Sequence, residues 1–266
     1  MEPISSLQNS RIKNILKLST KARERKEQNL FLIEGAREIS LAISGKYVFD
    51  SVFLCPELFA KTDYPEVIQS IPENILFEVT ESIFQKIAYR ENSDGIFALA
   101  KPKAHLLSDF NLPDNPFVII LESVEKPGNL GAILRTADAA KADAVIVCNP
   151  LTDIYNPNVI RSSVGCLFTV QTGIATNEET FAFLQKNRIC SYAAELTASQ
   201  WYQDMDYTSP SAVIMGTEAD GLSDFWLKNA EKRIKIPMRG VIDSLNVSVS
   251  TAILTFEAMR QRGFLF

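Results

Sequence analysis

Apolar runs separated by stretches of helical spacing dominate the second half of the chain. Residues 117–121 (Phe-Val-Ile-Ile-Leu) form a continuous apolar run bounded by turn residues, which is typical of a strand buried on both faces. Helical spacing follows over 130–140 and again over 245–262. Further strands are predicted at 144–148 and near 168–172, 189–193, 212–215 and 233–236. This alternation predicts an α/β fold with a mostly parallel sheet and helices on both faces.

The first hundred residues predict a smaller α/β module behind a helical lead-in. Apolar stretches predict strands at 31–34, 51–54, 75–79 and 95–99, with helical stretches at 35–44, 65–70 and 80–89. Prolines with Asn and Asp between them crowd residues 101–116, as in a linker or turn. We therefore predict a front domain over residues 1–105, a linker over 106–115 and a second domain over 116–266.

Charge is distributed unevenly along the chain. The formal net charge is −5, from 27 Lys+Arg and 32 Asp+Glu, yet residues 11–26 are strongly basic and contain one acid, Glu24. Ile12, Ile15 and Leu18 are spaced for one apolar helix face, so the basic residues would cover the opposite face. That face is either simply solvated or a contact surface for the phosphates of RNA. The candidate RNA-binding residues are Arg11, Lys13, Lys17, Lys21, Arg23 and Arg25.

Composition excludes several other classes of protein. There is one His, and the four cysteines have no C-x-x-C spacing, so we expect no metal site. The cysteines lie in apolar surroundings, as expected of buried thiols in a reducing cytoplasm. No run approaches the roughly 18 apolar residues of a membrane helix, and the first residues do not resemble a secretion signal. We expect a globular cytoplasmic protein without a membrane segment.

The stretch 122–137 is the first candidate for chemistry. Its sequence, Glu-Ser-Val-Glu-Lys-Pro-Gly-Asn-Leu-Gly-Ala-Ile-Leu-Arg-Thr-Ala, follows a strand and opens a helix, whose N-terminus favours an anion. Neither a dinucleotide fingerprint nor a P-loop is present. Arg135 suits a phosphate or carboxylate fork, or alternatively a surface pair with Asp138.

Two later stretches also follow predicted strands. In the stretch 216–223, Glu218 is flanked by turn residues, and either Glu218 or Ser223 is a candidate cap for a following helix. In the stretch 236–250, Ser244 is a candidate N-cap, but the β-branched residues and serines beyond it open a helix poorly. Close packing against a ligand would explain that local conflict.

Together these three stretches resemble motifs 1, 2 and 3 of the SpoU (TrmH-type) RNA ribose 2′-O-methyltransferases. The matching patterns are N-x-G-x-x-x-R-T-A-D at 129–138, G-x-E-x-x-G-L-S at 216–223, and I-P-M-x-G followed by S-L-N-V-S at 236–248. The opening, from Ile4 through Gly35, resembles the L30e-like substrate-binding domain that precedes such catalytic domains. The resemblance thus extends over nearly the whole chain and is sharper after residue 105.

The resemblance implies a C-terminal α/β-knot domain with a deep trefoil knot, S-adenosylmethionine as the cofactor, and a homodimer with active sites near its interface. The cofactor-binding residues it implies are Gly216, Ile236, Met238, Leu245 and Asn246. The catalytic residues it implies are Asn129, Arg135, Glu218, Ser244 and Asn246. The implied reaction is methyl transfer to a ribose 2′-OH of a structured RNA, with 23S ribosomal RNA preferred. The alternatives are a transfer RNA methyltransferase and a non-catalytic RNA-binding protein that keeps the fold.

In the family, the counterpart of Arg135 is proposed as the general base, but a guanidinium stays protonated well above neutral pH. We expect Arg135 instead to hold the phosphate beside the target ribose and to stabilise developing alkoxide charge. Water or a carboxylate would then take the proton, and Glu218 is the nearest motif candidate. A third hypothesis is a metabolic enzyme that binds a nucleotide, but the chain lacks the phosphate-loop and dinucleotide signatures of such enzymes.

Overall fold

The structure is a computed structural model that describes residues 2–89 and 93–264. Its strands are β1 Glu2–Ile4, β2 Phe31–Glu34, β3 Phe49–Leu54, β4 Leu76–Val79, β5 Ile96–Ala100, β6 Phe117–Glu122, β7 Ala144–Cys148, β8 Thr172–Ala175, β9 Cys190–Ala194, β10 Gln200–Trp201, β11 Ser211–Met215 and β12 Lys232–Lys235. Its helices are α1 Ser10–Thr20, α2 Ala22–Gln28, α3 Ala36–Ser44, α4 Pro56–Phe59, α5 Glu81–Ile87, α6 Pro127–Ala139, α7 Pro157–Ser162, α8 Asn177–Lys186, α9 Asp224–Asn229 and α10 Val247–Gln261. These elements form two compact units.

The first unit comprises Met1–Ala104 together with Asp153–Thr169. Its sheet has the order β1-β4-β3-β5-β2, in which β5 is antiparallel to both of its neighbours. The four strands predicted in the front domain are confirmed, with ends within about two residues. The predicted helical stretch at 65–70 is a 3-10 helix.

The basic lead-in folds as two helices, α1 and α2, which meet at Lys21 in an extended conformation. The side chain of Asn9 accepts a hydrogen bond from the amide of Arg11 and caps α1. Ile12, Ile15 and Leu18 are buried on one face of α1, as their spacing predicts. The basic residues are therefore left on the other face.

The segment 153–169 packs within the first unit, although the predicted second domain, 116–266, included it. Tyr155 stacks on Phe31 with ring centroids 4.1 Å apart, and its hydroxyl lies 3.3 Å from that of Tyr47. The carboxylate of Asp153 accepts a hydrogen bond of 2.6 Å from Arg25. These contacts join residues that are far apart in the sequence, so no local pattern predicts them.

The second unit comprises His105–Thr152 and Val170–Phe266. Its seven-stranded sheet has the order β10-β12-β9-β11-β6-β7-β8, and every neighbouring pair is parallel. The chain runs outward from β6 to β7 and β8 and then returns to the opposite side of β6. The strand order therefore reverses between β6 and β11, which is where open α/β sheets bind ligands.

Two local predictions for this part of the chain are corrected. The strand expected near 168–172 lies at Thr172–Ala175, and Cys166–Phe168 is instead a 3-10 helix of the first unit. Within the predicted linker 106–115, Phe110 packs in its own unit against Gly173. Helix α10 is confirmed, but its N-cap is Asn246 rather than Ser244.

A fold of mixed α/β class with a mostly parallel sheet is thus confirmed. The trefoil knot stays a prediction. Among the described helices, none is both long enough and apolar enough to cross a membrane.

Candidate active site

A cavity of about 530 Å³ opens at the carboxyl ends of β9, β11 and β12 in the second unit. This is within the size range of small-molecule sites, and it lies beside the point where the strand order reverses. The five predicted cofactor-binding residues all line it: Gly216, Ile236, Met238, Leu245 and Asn246. The predicted catalytic residues Glu218 and Ser244 line it as well. Motifs 2 and 3 therefore converge on one cavity.

The loop 216–221 forms part of the wall of this cavity. Thr217 and Gly221 exchange two backbone hydrogen bonds of 2.9 and 3.2 Å, so the loop folds back on itself. A Cβ on Gly216 would lie 2.2 Å from both the carbonyl carbon and the carbonyl oxygen of Gly221. The tight fold of the loop therefore requires glycine at position 216.

Glu218 joins motifs 1, 2 and 3. Its Oε1 accepts hydrogen bonds from Asn129 Nδ2 at 3.0 Å and from Asn246 Nδ2 at 2.5 Å. Its Oε2 accepts from Lys126 Nζ, which is also its ion-pair partner. Asn246 Nδ2 lies 3.2 Å from Asn129 Oδ1 as well, which closes a ring of three side chains. Three of the five predicted catalytic residues thus form one cluster.

The hydrogen bonds from Lys126 and then Asn129 hold the pKa of the Glu218 carboxyl below its ordinary value. The donors stabilise the charged form, so Glu218 is a carboxylate at neutral pH and a weak base. This weighs against our expectation that Glu218 takes the hydroxyl proton. Its arrangement suits an anchor that orients two amides.

Asn246 has a second role at the start of α10. Its Oδ1 accepts hydrogen bonds from the amide of Ser248 at 3.0 Å and from the hydroxyl of Ser248 at 2.6 Å. The next residue, Val247, is buried and lines the cavity. The first residues of α10 have low helix propensity, but they form the Asn246 cap and line the wall of the cavity. The nearby hydroxyl of Ser244 donates to Asp243 at 3.1 Å.

Two predicted catalytic residues, Asn129 and Arg135, do not line this cavity. Asn129 lines a smaller neighbouring cavity that shares Glu218 and Val247 with it, whereas Arg135 lines neither. Arg135 is exposed on α6, six residues after Asn129. Six residues of α-helix carry a side chain roughly 9 Å along the axis and about two-thirds of a turn around it. Arg135 therefore lies on a different face of the helix from Asn129, away from the ring around Glu218.

In the first unit, the predicted RNA-binding residues divide into two groups. Arg11, Lys13, Lys17, Lys21 and Arg23 are exposed, and we call them the basic face. Arg25 is only 5% exposed; its Nη1 donates to the Leu18 carbonyl at 2.7 Å and its Nε binds Asp153. The expectation for Arg25 is corrected, because a guanidinium with buried partners serves the packing of this unit.

Several residues of the site were missed by sequence reasoning. Lys126 lies inside the first candidate stretch, and its position before Pro-Gly-Asn was the available signal. Glu195 and Lys235 line the cavity from the ends of β9 and β12. Nothing in the local sequence marks these two residues, because strand ends carry charged residues in many proteins.

The parallel sheet, the reversal of strand order and the cavity beside it define an α/β domain built to bind a small ligand. A family model described as SpoU rRNA Methylase family matches residues 116–256. A second model, described as MRM3-like substrate binding domain, matches residues 9–98. The chain therefore belongs to the SpoU rRNA methylase family, and its front part matches a substrate-binding domain.

Similar proteins agree with this assignment. The chain is 28% identical over 256 residues to 23S rRNA (guanosine(2553)-2′-O)-methyltransferase RlmP of Bacillus subtilis, which covers 96% of this chain and 98% of the relative. It is 40% identical over 146 residues to tRNA (guanosine(18)-2′-O)-methyltransferase of Thermus thermophilus, which covers 54% of this chain and 74% of that relative. The AdoMet-bound rRNA methyltransferase of Sinorhizobium meliloti superposes with a TM-score of 0.87, at 27% identity and 97% coverage of both chains.

Proposed function

We propose that this protein transfers a methyl group from S-adenosylmethionine to a ribose 2′-hydroxyl of 23S ribosomal RNA. The observation that carries the proposal is the convergence of motifs 2 and 3 on one cavity, with Asn129 of motif 1 bonded to Glu218 and Asn246 beside it. The 2′-hydroxyl is also the group that distinguishes RNA from DNA as a substrate.

The residues of the cavity fit S-adenosylmethionine. Leu222, Leu227 and Ile236 supply apolar surface for an adenine ring, and the carboxylates of Glu195 and Glu218, ion-paired with Arg233 and Lys126, lie on the same wall. The tight loop at Gly216 brings backbone to the wall of the cavity. When bound, the cofactor supplies an electrophilic methyl group, and the protein must orient the acceptor hydroxyl.

The ring around Glu218 provides that orientation. Asn129 and Asn246 each donate from Nδ2 to the Glu218 carboxylate, which fixes the orientation of both amides. Asn246 Oδ1 already accepts two bonds from Ser248, so Asn129 Oδ1, which accepts one, is the acceptor for the hydroxyl. Because both oxygens of the Glu218 carboxylate already accept hydrogen bonds from Lys126, Asn129 and Asn246, we assign the hydroxyl proton to water rather than to this carboxylate. Arg135 would hold the neighbouring phosphate and stabilise charge on the attacking oxygen.

In a homodimer, Arg135 of one protomer would lie at the cavity of its partner. In one protomer this residue lies on another face of α6, so a second copy is the simplest source of the missing guanidinium. Helix α10 leaves Val249 and Phe256 48% and 42% exposed. These two residues are seven apart and so share a helix face, which supports burial against a partner.

The basic face of the first unit would bind the phosphates of the RNA. The match to the Bacillus subtilis 23S enzyme extends over both units, whereas the match to the Thermus thermophilus tRNA enzyme covers 54% of this chain. This difference favours ribosomal RNA, with transfer RNA as the second candidate substrate. The four cysteines are free, which supports a reducing cytoplasm as the site of action.

Methyl-tritiated S-adenosylmethionine and total RNA from a strain that lacks this protein test the proposal. Label should enter 23S RNA, resist alkali as a 2′-O-methylated dinucleotide, and disappear with Arg135→Ala. Label in transfer RNA would change the substrate and keep the reaction. Cofactor binding without label in any RNA, ribosome assembly intermediates included, would favour a non-catalytic RNA-binding protein and overturn the proposal.

A further inference from the structure

Glu195 and Thr197 place unused hydrogen-bond acceptors at the wall of the cavity in the second unit. Both residues line this cavity, and they follow β9 at the carboxyl end of that strand. The Glu195 side chain is 12% exposed, and within residues 2–89 and 93–264 no group donates a hydrogen bond to its Oε1. A buried acceptor without a donor is costly, so its position beside a ligand cavity points to a donor on the ligand.

The two side chains are fixed relative to each other. The hydroxyl of Thr197 donates to Glu195 Oε2 at 2.8 Å, and the amide of Glu195 donates to the carbonyl of Ile234 on β12 at 2.9 Å. The oxygen of Thr197 uses its one proton in this bond and keeps lone pairs that can accept, as does the carboxylate. Because the pair is already ordered, it loses less freedom when a ligand binds.

The charge around Glu195 favours an uncharged donor. Arg233 Nη1 lies 3.5 Å from Glu195 Oε1, so the carboxylate already has a cationic partner. A second cation at the same carboxylate would be repelled by this guanidinium, whereas a neutral hydroxyl would not. The ammonium group of S-adenosylmethionine is therefore a poorer partner for Glu195 than the hydroxyl groups of the same molecule.

The spacing of the two acceptors matches a ribose. Two accepting oxygens 2.8 Å apart can receive the two adjacent hydroxyls of the sugar, whereas the adenine amine is a single nitrogen. A carboxylate that accepts from a ribose hydroxyl is also a recurrent feature of nucleotide-binding α/β folds. The adenine ring has apolar surface of its own in the cavity, at Leu222, Leu227 and Ile236. These groups together select the sugar as the partner of Glu195 and Thr197.

We propose that Glu195 and Thr197 bind the ribose hydroxyls of S-adenosylmethionine and make the cavity selective for ribose over deoxyribose. The inference rests on the proposed function insofar as S-adenosylmethionine is the cofactor. Neither residue belongs to the three motifs, so the proposal gives a binding role to the loop that follows β9.

The test uses titration calorimetry of the full chain, without RNA, with S-adenosylhomocysteine and with its 2′-deoxy and 3′-deoxy analogues. We expect the wild type to bind at least one deoxy analogue about ten-fold or more weakly than the ribose compound. Glu195→Ala should weaken S-adenosylhomocysteine by a similar factor and lose most of this preference. Thr197→Val, which removes the hydroxyl, should lose part of it. Thermal unfolding of each variant confirms that it folds.

Two controls separate the sugar from the other groups. Arg233→Ala removes the ion pair but leaves both acceptors, and Arg233 does not line the cavity, so the ribose preference should persist. 5′-Methylthioadenosine keeps the nucleoside and lacks the amino acid, so Glu195→Ala should weaken it as much as it weakens S-adenosylhomocysteine. A loss confined to S-adenosylhomocysteine would assign Glu195 to the ammonium and overturn the proposal. Wild-type affinity, or an undiminished ribose preference, in a folded Glu195→Ala variant would overturn it too.

The outcomes distinguish this proposal from the proposed function. Binding is measured without RNA, so the predicted ribose preference in a protein that methylates no RNA would keep the roles of Glu195 and Thr197 and remove the enzyme. Methylation of RNA by a chain that binds all three compounds equally would keep the enzyme and remove those roles. A wild-type chain that binds no S-adenosylhomocysteine would contradict both proposals.

Discussion

Glu122 accepts two hydrogen bonds from Ser223, at 2.8 Å from the amide and at 2.5 Å from the hydroxyl. Glu122 is the last residue of β6 and is 4% exposed, and Ser223 is the last residue of motif 2 and precedes α9. Glu122 Oε1 also accepts from Asn177 Nδ2 at 2.5 Å, and Asn177 Oδ1 accepts from Trp226 Nε1 at 3.0 Å. One buried carboxylate therefore ties the loop that bears Glu218 to the centre of the sheet.

We predict that Glu122→Ala lowers the free energy of unfolding by about 2–4 kcal/mol, because it leaves several buried donors unpaired. Cofactor affinity should fall as well, since the loop 216–223 loses its anchor. Denaturant unfolding and calorimetry measure the two effects. Asp224→Asn, which removes an exposed partner of Lys228, is the control and should change neither. Unchanged stability in Glu122→Ala would show that the network is replaceable by water.

A pair of glycine substitutions tests the tight loop at the cavity. Gly216→Ala places a Cβ 2.2 Å from the backbone of Gly221, so the loop must move and cofactor affinity should fall at least ten-fold. Gly128→Ala, in α6, meets no atom within 4 Å and should leave the fold and cofactor affinity intact. Titration calorimetry with S-adenosylmethionine measures both variants. Equal affinities would mean that the loop is not part of the cofactor site.

We predict opposite effects for substitutions of Arg23 and of Arg25, although both residues lie on α2. Arg25→Ala removes the buried bonds to Leu18 and Asp153, and should destabilise the first unit by about 3 kcal/mol. Arg23 is exposed, so Arg23→Ala should leave stability unchanged, weaken RNA binding and reduce its salt slope. Unfolding curves and RNA titrations at several salt concentrations test this. RNA binding that depends on Arg25 while stability does not would reverse the assignment.

The sequence alone predicted the helices and strands whose apolar residues follow a regular local spacing. The apolar run of β6 and the buried face of α1 were both recognisable from spacing alone. The two-residue strand β10 was missed because it is too short to show a period. Helix α8 was missed although Thr176 and Glu179 form a capping box, which was a readable signal.

The site was predictable from motif resemblance, but its geometry was not. Glu218 accepts hydrogen bonds from Lys126 and from Asn246, which are separated in sequence by more than a hundred residues. The burial of Arg25 depends on Asp153, which folds into the first unit from far along the chain. Such pairings are set by tertiary structure, and one sequence carries no local trace of them.

The lowered pKa of Glu218 predicts a pH dependence of the site. A carboxyl whose pKa is lower in the folded state stabilises the fold at pH values above its unfolded pKa, and that contribution is lost as the pH falls through the folded pKa. The contribution to stability is small because the ion pair of Glu218 with Lys126 is open to solvent, the lysine side chain being 67% exposed. Cofactor affinity should therefore hold down to about pH 4.3, the ordinary glutamate pKa, and decline below it.

Glu218→Gln is the matching variant, since it keeps the shape of the side chain and removes the charge. It should bind the cofactor more weakly at neutral pH and should lose the decline at low pH. Asp204→Asn, an acidic residue that does not line the cavity, is the control for general acid effects. A decline that persists in Glu218→Gln would assign the titration to another group.

A mixture of two inactive proteins tests whether Arg135 acts on a cavity of its partner. Arg135→Ala should reduce methyl transfer by about 10²–10³-fold, and Asn246→Ala should also inactivate the enzyme. If each site combines Arg135 of one protomer with Asn246 of the other, half of the randomly paired dimers contain one intact site. The mixture, denatured and refolded together, should then recover about a quarter of wild-type activity. If Arg135 serves its own protomer, both sites of every mixed dimer are defective, and the mixture stays inactive.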